Sequence, residues 1–387
     1  MVSIKVVFIA SRTVCDAGNI HYRLTLDRHM RHIDAGITVA GSQWSLAALD
    51  SDTRLRVKCD IERLQRIIDR FETELPGFSI DDIVAEFHRY AADFSMKSYM
   101  SMLSARLRAD GRIRTSETYR AALRSFSAFM DGEDIMIDCI RSGIMEAYQV
   151  WLKSRGLALN TISFYMRILR AVYNRAVECG ATIDHRPFRH VYTGIGRTVK
   201  RALPLAAIRR LRELDLHGEP HLAYARDMFI LSFYTRGMSF IDMAFLLKEN
   251  LSEGHITYRR RKTGQTLSIA WTREMQQIID RYPVPESPYL FPIIRHNSRN
   301  PRAAYINAAY NINHSLKQLA PRIGAKIPLT LYVARHSWAS AAQSKGVPIG
   351  IISEGMGHHY EATTRIYLAS IATSVVDRAN AMIMRSI

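Results

Sequence analysis

An arginine and a histidine share one face of a helix predicted in the last part of the sequence. The segment LTLYVARHSWASAAQSKG predicts a helix that Thr330 caps and that ends at Gly346. Tyr332, Arg335 and His336 fall on one stripe of this helix because they are spaced by three and four residues. Such a stripe is either a surface ion-pair patch or a pocket wall that grips an anion. Arginine suits the second role because its planar fork binds two phosphate oxygens at once.

A second group of candidates follows in GMGHHYEATTRIYLAS. The glycine turn presents His358, and the next predicted helix carries Thr364 and Tyr367. Taken alone, a tyrosine in this position is most simply explained as core packing. Three histidines, His336, His358 and His359, could hold a metal, but no carboxylate or cysteine pattern accompanies them. We therefore expect no metal site.

A basic hairpin precedes both groups. GHITYRRRKTGQTLSIAW predicts two strands on either side of a Lys-Thr-Gly-Gln turn that contains Lys262. Taken alone, this lysine is explained as a polar turn residue.

The charge of the chain indicates what it binds. Lys and Arg number 53 against 36 Asp and Glu, which leaves a formal net charge of +17. Such an excess favours a polyanionic partner, with nucleic acid the first candidate and an anionic membrane surface the second. No apolar run is long enough for a transmembrane helix, and the apolar start is too short for a secretory signal. We expect a cytoplasmic, nucleoid-associated protein with no membrane partner.

The cysteines predict no crosslinks. Cys15, Cys59, Cys139 and Cys179 are isolated and have no metal-like spacing. We expect reduced cysteines that pack in the interior.

The fold class predicted from periodicity is mainly α with small β elements. A small β-sheet domain with a connecting helix is expected over residues 1–75, from SIKVVFIAS, IHYRLTLD and DAGITV, with DAGN as a turn. A helical domain is expected over 76–184, a linker rich in Pro, Gly and cations over 185–200, and a mixed, mainly helical domain over 201–387.

Local signals refine the helical domain. Ser79 is the predicted N-cap of one helix, TSETYRAALRSFSAFM is expected to begin with a capping motif, and Gly180 is expected to close a third helix. That third helix carries basic residues that either contact DNA phosphates or form a solvated face. They are Arg167, Arg170 and Arg175.

The order of these motifs resembles the tyrosine recombinase, or phage integrase, family. The resemblance rests on Lys262 in a hairpin, Arg335 on a helix, the Gly-His pair at His358, and Tyr367 nine residues later. The N-terminal strands with Trp44, and the segment FYTRGMSFIDMAFL, resemble integrases and invertases of Bacteroides-type bacteria. The resemblance implies an arm-type DNA-binding domain, a core-site-binding helical domain and a catalytic domain.

Roles for the matching residues follow from the resemblance. It implies that Tyr367 attacks a scissile DNA phosphate, forms a 3′-phosphotyrosyl link and releases a 5′-hydroxyl, without metal or nucleotide cofactor. Arg335 would clamp the nonbridging oxygens, His358 would donate a hydrogen bond to the phosphate, and Lys262 would be the general acid for the leaving oxygen. His336 is expected to contact DNA.

Two positions depart from the family pattern. Tyr332 occupies the position of a family histidine; it can donate a hydrogen bond but cannot serve as a base near neutral pH. In the family's Gly-x-Arg-x-x-Glu box, Asp242 replaces the glutamate and Ser239 replaces the arginine. Losing one transition-state donor typically costs on the order of a hundredfold in rate.

Two other arginines are candidates to replace the missing one. Arg236 lies three residues before Ser239, which is one helical turn. Arg260 lies two residues before Lys262, so strand alternation predicts that both side chains point to the same face.

Three activities therefore stay open. The leading one is a homotetrameric site-specific recombinase that acts on duplex DNA sites through a Holliday junction, with accessory DNA-bending proteins allowed as further partners. Ser239 and Tyr332 favour a catalytically silent DNA-binding or architectural protein, and a type IB topoisomerase shares the chemistry. Integration, excision and inversion are not distinguished. The tail TSVVDRANAMIMRSI carries an apolar stripe at helical spacing. The resemblance implies that this stripe packs onto a neighbouring subunit; the alternative is a helix folded back on its own domain.

Overall fold

The computed structural model describes residues 2–11, 16–41, 44–45, 47–75, 77–196, 201–294, 298–365, 368 and 384. Over these residues the chain is mainly helical with two three-stranded antiparallel sheets, so the predicted fold class is confirmed. None of the helices in these ranges combines the length and apolarity that crossing a bilayer requires.

The chain divides into two units, Met1–Arg197 and Thr198–Ile387. The elements of unit 1 are β1 (Ser3–Ala10), β2 (Ala17–Leu26), β3 (His29–Ala40), α1 (Ser51–Glu74), α2 (Ile80–Phe94), α3 (Met96–Ala109), α4 (Ile113–Phe129), α5 (Ser142–Ser154) and α6 (Leu159–Glu178). Those of unit 2 are α7 (Leu205–Glu213), α8 (Pro220–Tyr234), α9 (Phe240–Ala244), β4 (Leu251–Ser252), β5 (His255–Arg259), β6 (Thr266–Ala270), α10 (Arg273–Asp280), α11 (Pro301–Arg322), α12 (Leu331–Ser344), α13 (Ile349–Gly355) and α14 (Glu361–Arg365).

The N-terminal sheet has the order β1-β2-β3. Alternate residues of β2 are buried because successive side chains of a strand point to opposite faces, and one face packs on α1 and α2. The strands were predicted, but DAGN is not a turn: β2 begins at Ala17, and Gly18 pairs with Ala10. The β2–β3 connection is instead a two-residue turn at Asp27 and Arg28, both with positive φ, which matches the twist of a hairpin.

A buried ionic network joins this sheet to the helices of unit 1. Arg63 of α1 is 2% exposed and makes two hydrogen bonds to Asp138, of 2.7 and 2.9 Å, and one of 2.8 Å to Asp60. Tyr22 of β2 donates to Asp60 at 2.7 Å. Because buried charges are tolerated only when paired, the network fixes α1 against its neighbours.

Of the three helix caps predicted in the helical domain, two agree with the structure. Ser79 and Asp82 form a capping box at α2, and Gly180, with φ of +74°, follows the end of α6. The prediction that α4 begins with a capping motif is wrong, since the helix begins at Ile113 and Ser116 lies inside it. Ser116 is buried and forms a 2.9 Å hydrogen bond with Ser104 of α3 instead.

The free thiols differ in their burial. Cys59 and Cys139 are buried, as expected, but Cys179 is exposed at the end of α6, so it is not a packing residue. Cys15 lies outside the described residues.

Most of the segment that composition predicts as a linker packs within unit 1. Phe188 and Val191 are buried in the helical core. Ser163 of α6 donates to the carbonyl of Gly194 at 2.6 Å, and the side chain of Asn160 bonds both the N–H and the C=O of residue 196. Side chains of α6 therefore hold this segment as far as residue 196.

Unit 2 is organised around α8, which is buried on most of its surface. The consecutive residues Met228, Phe229, Ile230 and Leu231 are all buried, because α7, α10, α11 and α12 surround this helix. An all-round apolar pattern is typical of such a central helix.

The turn after α8 approaches α12 closely. Gly237 has φ of +74°, and a Cβ there would lie 2.7 Å from the Cα of Arg335. Arg236 also has positive φ and lies beyond the end of α8, so it is not one helical turn before Ser239 as predicted. The close approach places the main chain of this turn against the first half of α12.

We expect Gly237→Ala to destabilise unit 2 more than Gly218→Ala. Both glycines have positive φ, but nothing lies within 4 Å of a Cβ at Gly218. The control should cost about 1–2 kcal/mol for its left-handed backbone, and Gly237→Ala should cost about 1–3 kcal/mol more from overpacking. Urea unfolding of both variants measures the difference; equal losses would contradict the close contact.

Candidate active site

Arg335 is the centre of the site. It lies in α12 and is only 4% exposed. Its Nη1 donates to the carbonyl of Gly237 at 2.7 Å, and its Nη2 donates to the carbonyl of Met356 at 2.6 Å. Three separate segments thus meet at one guanidinium: α12, the turn after α8 and the end of α13.

His358 completes the surroundings of this guanidinium. Its Nε2 lies 2.9 Å from Nη2 of Arg335, and its Nδ1 lies 2.8 Å from Oγ1 of Thr364. A guanidinium can only donate, so Nε2 accepts, and in the neutral ring Nδ1 carries the proton and donates to Thr364. Burial lowers the pKa of His358 to about 4, and the positive charges of Arg335, Arg260 and Lys262 act in the same direction. The ring is therefore neutral near pH 7.

A glycine must precede this histidine for a steric reason. Gly357 has φ of +65°, and a Cβ there would lie 2.6 Å from Cδ of Arg260. Arg260 also donates from Nη1 to the carbonyl of Gly357. The Gly-His turn and the hairpin are thus packed against each other through Arg260.

Arg260 and Lys262 do not share a face, contrary to the prediction from strand alternation. β5 ends at Arg259, so the period of two does not continue through the turn. Arg260 is 5% exposed whereas Lys262 is exposed. Both charges nevertheless act on His358.

Asp242 links the altered family box to the hairpin. Its Oδ2 accepts from the hydroxyl of Ser239 at 2.6 Å, and its Oδ1 accepts from the main-chain N–H of Arg261 at 2.9 Å. Nε of Arg260 lies 3.9 Å from Oδ2 of the same carboxylate. The guanidinium of Arg260 therefore lies beside the acidic residue of the box in which Ser239 replaces an arginine.

Arg236 lies in the same neighbourhood but is only half-buried. Burial and the charge of Asp242 raise the pKa of Tyr258, while Arg260, Arg335 and Arg236 act in the opposite direction. The cluster is therefore strongly cationic.

The other predicted residues of α12 lie on its open side. Tyr332 is 57% exposed, and its ring packs edge-on against His336 at 4.8 Å between centroids. The three residues of the predicted stripe thus differ in burial: the rings of Tyr332 and His336 lie on the open side of α12, whereas Arg335 is buried. Tyr367 and tail residues 369–383 lie outside the described residues.

The basic residues of α6 are not equivalent. Arg167 and Arg170 are exposed one turn apart, whereas Arg175 is half-buried. Arg120 and Arg124 of α4 are also exposed and are spaced by four residues.

No group of three or more His, Cys, Asp or Glu side chains in the described ranges is arranged to hold a metal. This holds for His336, His358 and His359, whose described contacts are with other protein groups.

Comparison with known proteins adds independent information. A family model for the phage integrase SAM-like domain matches residues 95–192. Tyrosine recombinase XerA of Pyrococcus furiosus is 25% identical over 237 residues, which cover 59% of this chain and 77% of XerA. The fold resembles that of a lambda integrase dimer bound to a COC′ core site, with a TM-score of 0.54 and 12% identity over 90% of this chain and 91% of that one. The matched domain and the curated relative support a member of the tyrosine recombinase family.

Another structure with this fold is a lambda integrase tetramer bound to a Holliday junction. The TM-score is 0.55 and the identity 13%, over 90% of this chain and 92% of that one. At such low identity the likeness shows the shared fold.

We expect the imidazole of His358 to titrate near pH 4, and Arg260→Gln to raise that pKa. The substitution removes one of the charges that disfavour protonation. NMR titration of protein with labelled histidine measures the shift, with Arg209→Gln, an exposed site on α7, as the control.

The sign of the effect on stability follows from the same shift. The folded-state pKa lies below the ordinary value of 6.5, so the neutral ring stabilises the fold above pH 6.5 and this contribution is lost as pH falls towards 4. An unchanged His358 titration in Arg260→Gln would contradict the placement of Arg260.

Proposed function

We propose that this chain is a site-specific DNA recombinase that cuts and rejoins duplex DNA through Tyr367. One observation carries the proposal: Arg335, Arg260 and His358 converge in a buried cationic cluster beside α14, whose last residue precedes Tyr367 by two positions. A phosphodiester is the substrate that such a cluster fits, because guanidinium groups bind phosphate oxygens in pairs.

In the proposed reaction the phenolate of Tyr367 attacks the scissile phosphorus. The bond to the 5′-oxygen breaks, Lys262 gives this oxygen a proton, and the DNA 3′ end stays linked to the tyrosine. Attack by a 5′-hydroxyl of another strand reverses the step and exchanges the strands. Tyrosine has an ordinary pKa near 10, so the surrounding cations must favour the phenolate and the charged transition state.

The proposed role of Arg335 is to hold the nonbridging oxygens. Its guanidinium is fixed by main-chain carbonyls before substrate arrives, so little reorganisation is needed during the reaction. Burial strengthens its electrostatic effect because the local dielectric is lower than that of water.

The proposed role of His358 differs from the donation to phosphate that the resemblance implies. In the described arrangement its Nε2 accepts a hydrogen bond from Arg335. The ring therefore holds the guanidinium in place, and this is the function that we assign to it.

Arg260 is the proposed replacement for the missing arginine. It is buried beside Asp242 and bonds to the carbonyl that directly precedes His358. Arg236 is more exposed, and the charges that lower the pKa of His358 are those of Arg335, Arg260 and Lys262. These observations favour Arg260.

Unit 1 supplies the proposed DNA-binding surfaces. Lys5, Arg23 and His32 are opposite one another in adjacent strands and line the face of the sheet that is turned away from α1 and α2. We assign this face to an arm-type site, and Arg167 and Arg170 of α6 to the phosphates of the core site. We further propose that the protein acts in the cytoplasm as a homotetramer on DNA.

Ser239 supports a second candidate, a catalytically silent DNA-binding protein. Its hydroxyl bonds to Asp242 and leaves the box without its own guanidinium. Covalent attachment to DNA separates the two candidates, since only the enzyme forms an adduct. Relaxation of plasmids without site preference would instead indicate a type IB topoisomerase.

We expect Tyr367→Phe to abolish covalent adducts and to change DNA affinity little, because it removes only the hydroxyl oxygen. The measurement is incubation with a nicked suicide substrate that carries the recombination site, with binding followed by gel shift. Tyr360→Phe is the matched control, because Tyr360 is 75% exposed. Adducts that persist in Tyr367→Phe would show that another residue is the nucleophile.

We expect Arg260→Lys to slow cleavage of the suicide substrate by about a hundredfold or more, the typical cost of one lost transition-state donor. Site binding should stay near the parental level. Arg259→Lys, at the exposed neighbouring position, is the control. If Arg236→Lys loses activity and Arg260→Lys does not, Arg236 is the replacement.

A further inference from the structure

Thr364 is fully buried, and its hydroxyl faces His358. It lies in α14 with 0% exposure, and Oγ1 is 2.8 Å from Nδ1 of the imidazole. A buried hydroxyl requires a hydrogen-bond partner, and this contact provides one.

The two contacts of His358 select one tautomer. Arg335 can only donate, so Nε2 must keep its lone pair. A neutral imidazole then carries its proton on Nδ1, where the oxygen of Thr364 accepts it. The opposite tautomer would direct an N–H of the ring at an N–H of the guanidinium and leave both donors without an acceptor at this contact.

We propose that Thr364 is a positioning residue: it accepts the hydrogen bond from Nδ1 of His358, fixes the orientation of the ring and thereby holds the Arg335 guanidinium in position. The chain of contacts runs from Thr364 Oγ1 to His358 Nδ1, and from His358 Nε2 to Arg335 Nη2. The effect on DNA cleavage rests on the proposed function; the tautomer does not.

The position of Thr364 in the sequence gives this contact a second consequence. Thr364 precedes Tyr367 by three residues. The hydrogen bond therefore ties the segment that leads into the proposed nucleophile to the phosphate-binding arginine. In the proposed reaction the nucleophile and the phosphate-binding arginine must be aligned with each other. A direct hydrogen-bonded connection favours that alignment, because small displacements of reacting groups reduce the rate by large factors.

The first experiment needs no DNA. Nitrogen-15 NMR of the full chain with labelled histidine, with His358 assigned by its loss in His358→Gln, reports which ring nitrogen carries the proton. At pH 7 the parental protein should show the Nδ1–H form. An Nε2–H form in the parental protein would overturn the proposal, whatever the behaviour of any variant.

The second experiment compares variants. Thr364→Val keeps the shape of the side chain and removes the hydroxyl; Thr364→Ser keeps the hydroxyl; Thr363→Val makes the same change at the half-buried neighbour. Thr364→Val should shift the nitrogen-15 resonance of His358 Nδ1, because it removes the acceptor of that N–H, and should cleave the suicide substrate about tenfold or more slowly, as when a hydrogen bond that orients a functional histidine is removed. Thr364→Ser and Thr363→Val should retain the parental resonance and cleavage rate.

The outcomes distinguish this proposal from the proposed function. If Thr364→Val keeps the parental His358 resonances or the parental cleavage rate, Thr364 is not a positioning residue. If the parental protein forms no adduct at all, the recombinase proposal fails while the tautomer measurement still tests the contact. Should Thr364→Val not fold, Thr364→Ser is compared with Thr364→Ala, and thermal unfolding checks that each variant is folded. Equal His358 spectra in these two variants would overturn the proposal.

Discussion

The arrangement of unit 2 depends on one buried cation, the guanidinium of Arg335. Removing a charge from water is costly unless hydrogen bonds replace the lost hydration. Here the replacements include carbonyls of Gly237 and Met356 and a ring nitrogen of His358. Each comes from a different segment, so the turn after α8, the end of α13 and the Gly-His turn all have to be in place around α12. Three segments packed around α12 thus supply acceptors to this one side chain.

The same cation explains the chemistry of its surroundings. Burial lowers the pKa of His358, and the positive charges of Arg335, Arg260 and Lys262 lower it further. The ring is therefore neutral and can accept a hydrogen bond from a guanidinium. The same close packing requires glycine at positions 237 and 357, because each has positive φ and each lies against an arginine of the cluster. A cationic, partly buried site of this kind is suited to a phosphate in which negative charge develops during reaction.

Unit 1 uses a comparable device for a structural purpose. Arg63 is as deeply buried as Arg335, but its described partners include the carboxylates of Asp60 and Asp138. The ionic partners neutralise the charge locally and bind α1 to the segment that contains Asp138. The described acceptors of Arg335 are main-chain carbonyls and an imidazole nitrogen.

Much of this protein could be predicted from the sequence. Helical periodicity and strand alternation predicted the fold class. The order of the basic hairpin, the Arg-His helix and the Gly-His turn brought Arg335, His358 and Lys262 into one hypothesis through its resemblance to the tyrosine recombinases. These signals are local, and local backbone geometry decides them. The tertiary structure alone decided that Arg260 is buried while Lys262 is exposed, that Arg236 lies beyond the end of α8, and that Thr364 faces His358. In each case the outcome depends on which distant segment packs against the residue, and neither periodicity nor spacing along the chain contains that information.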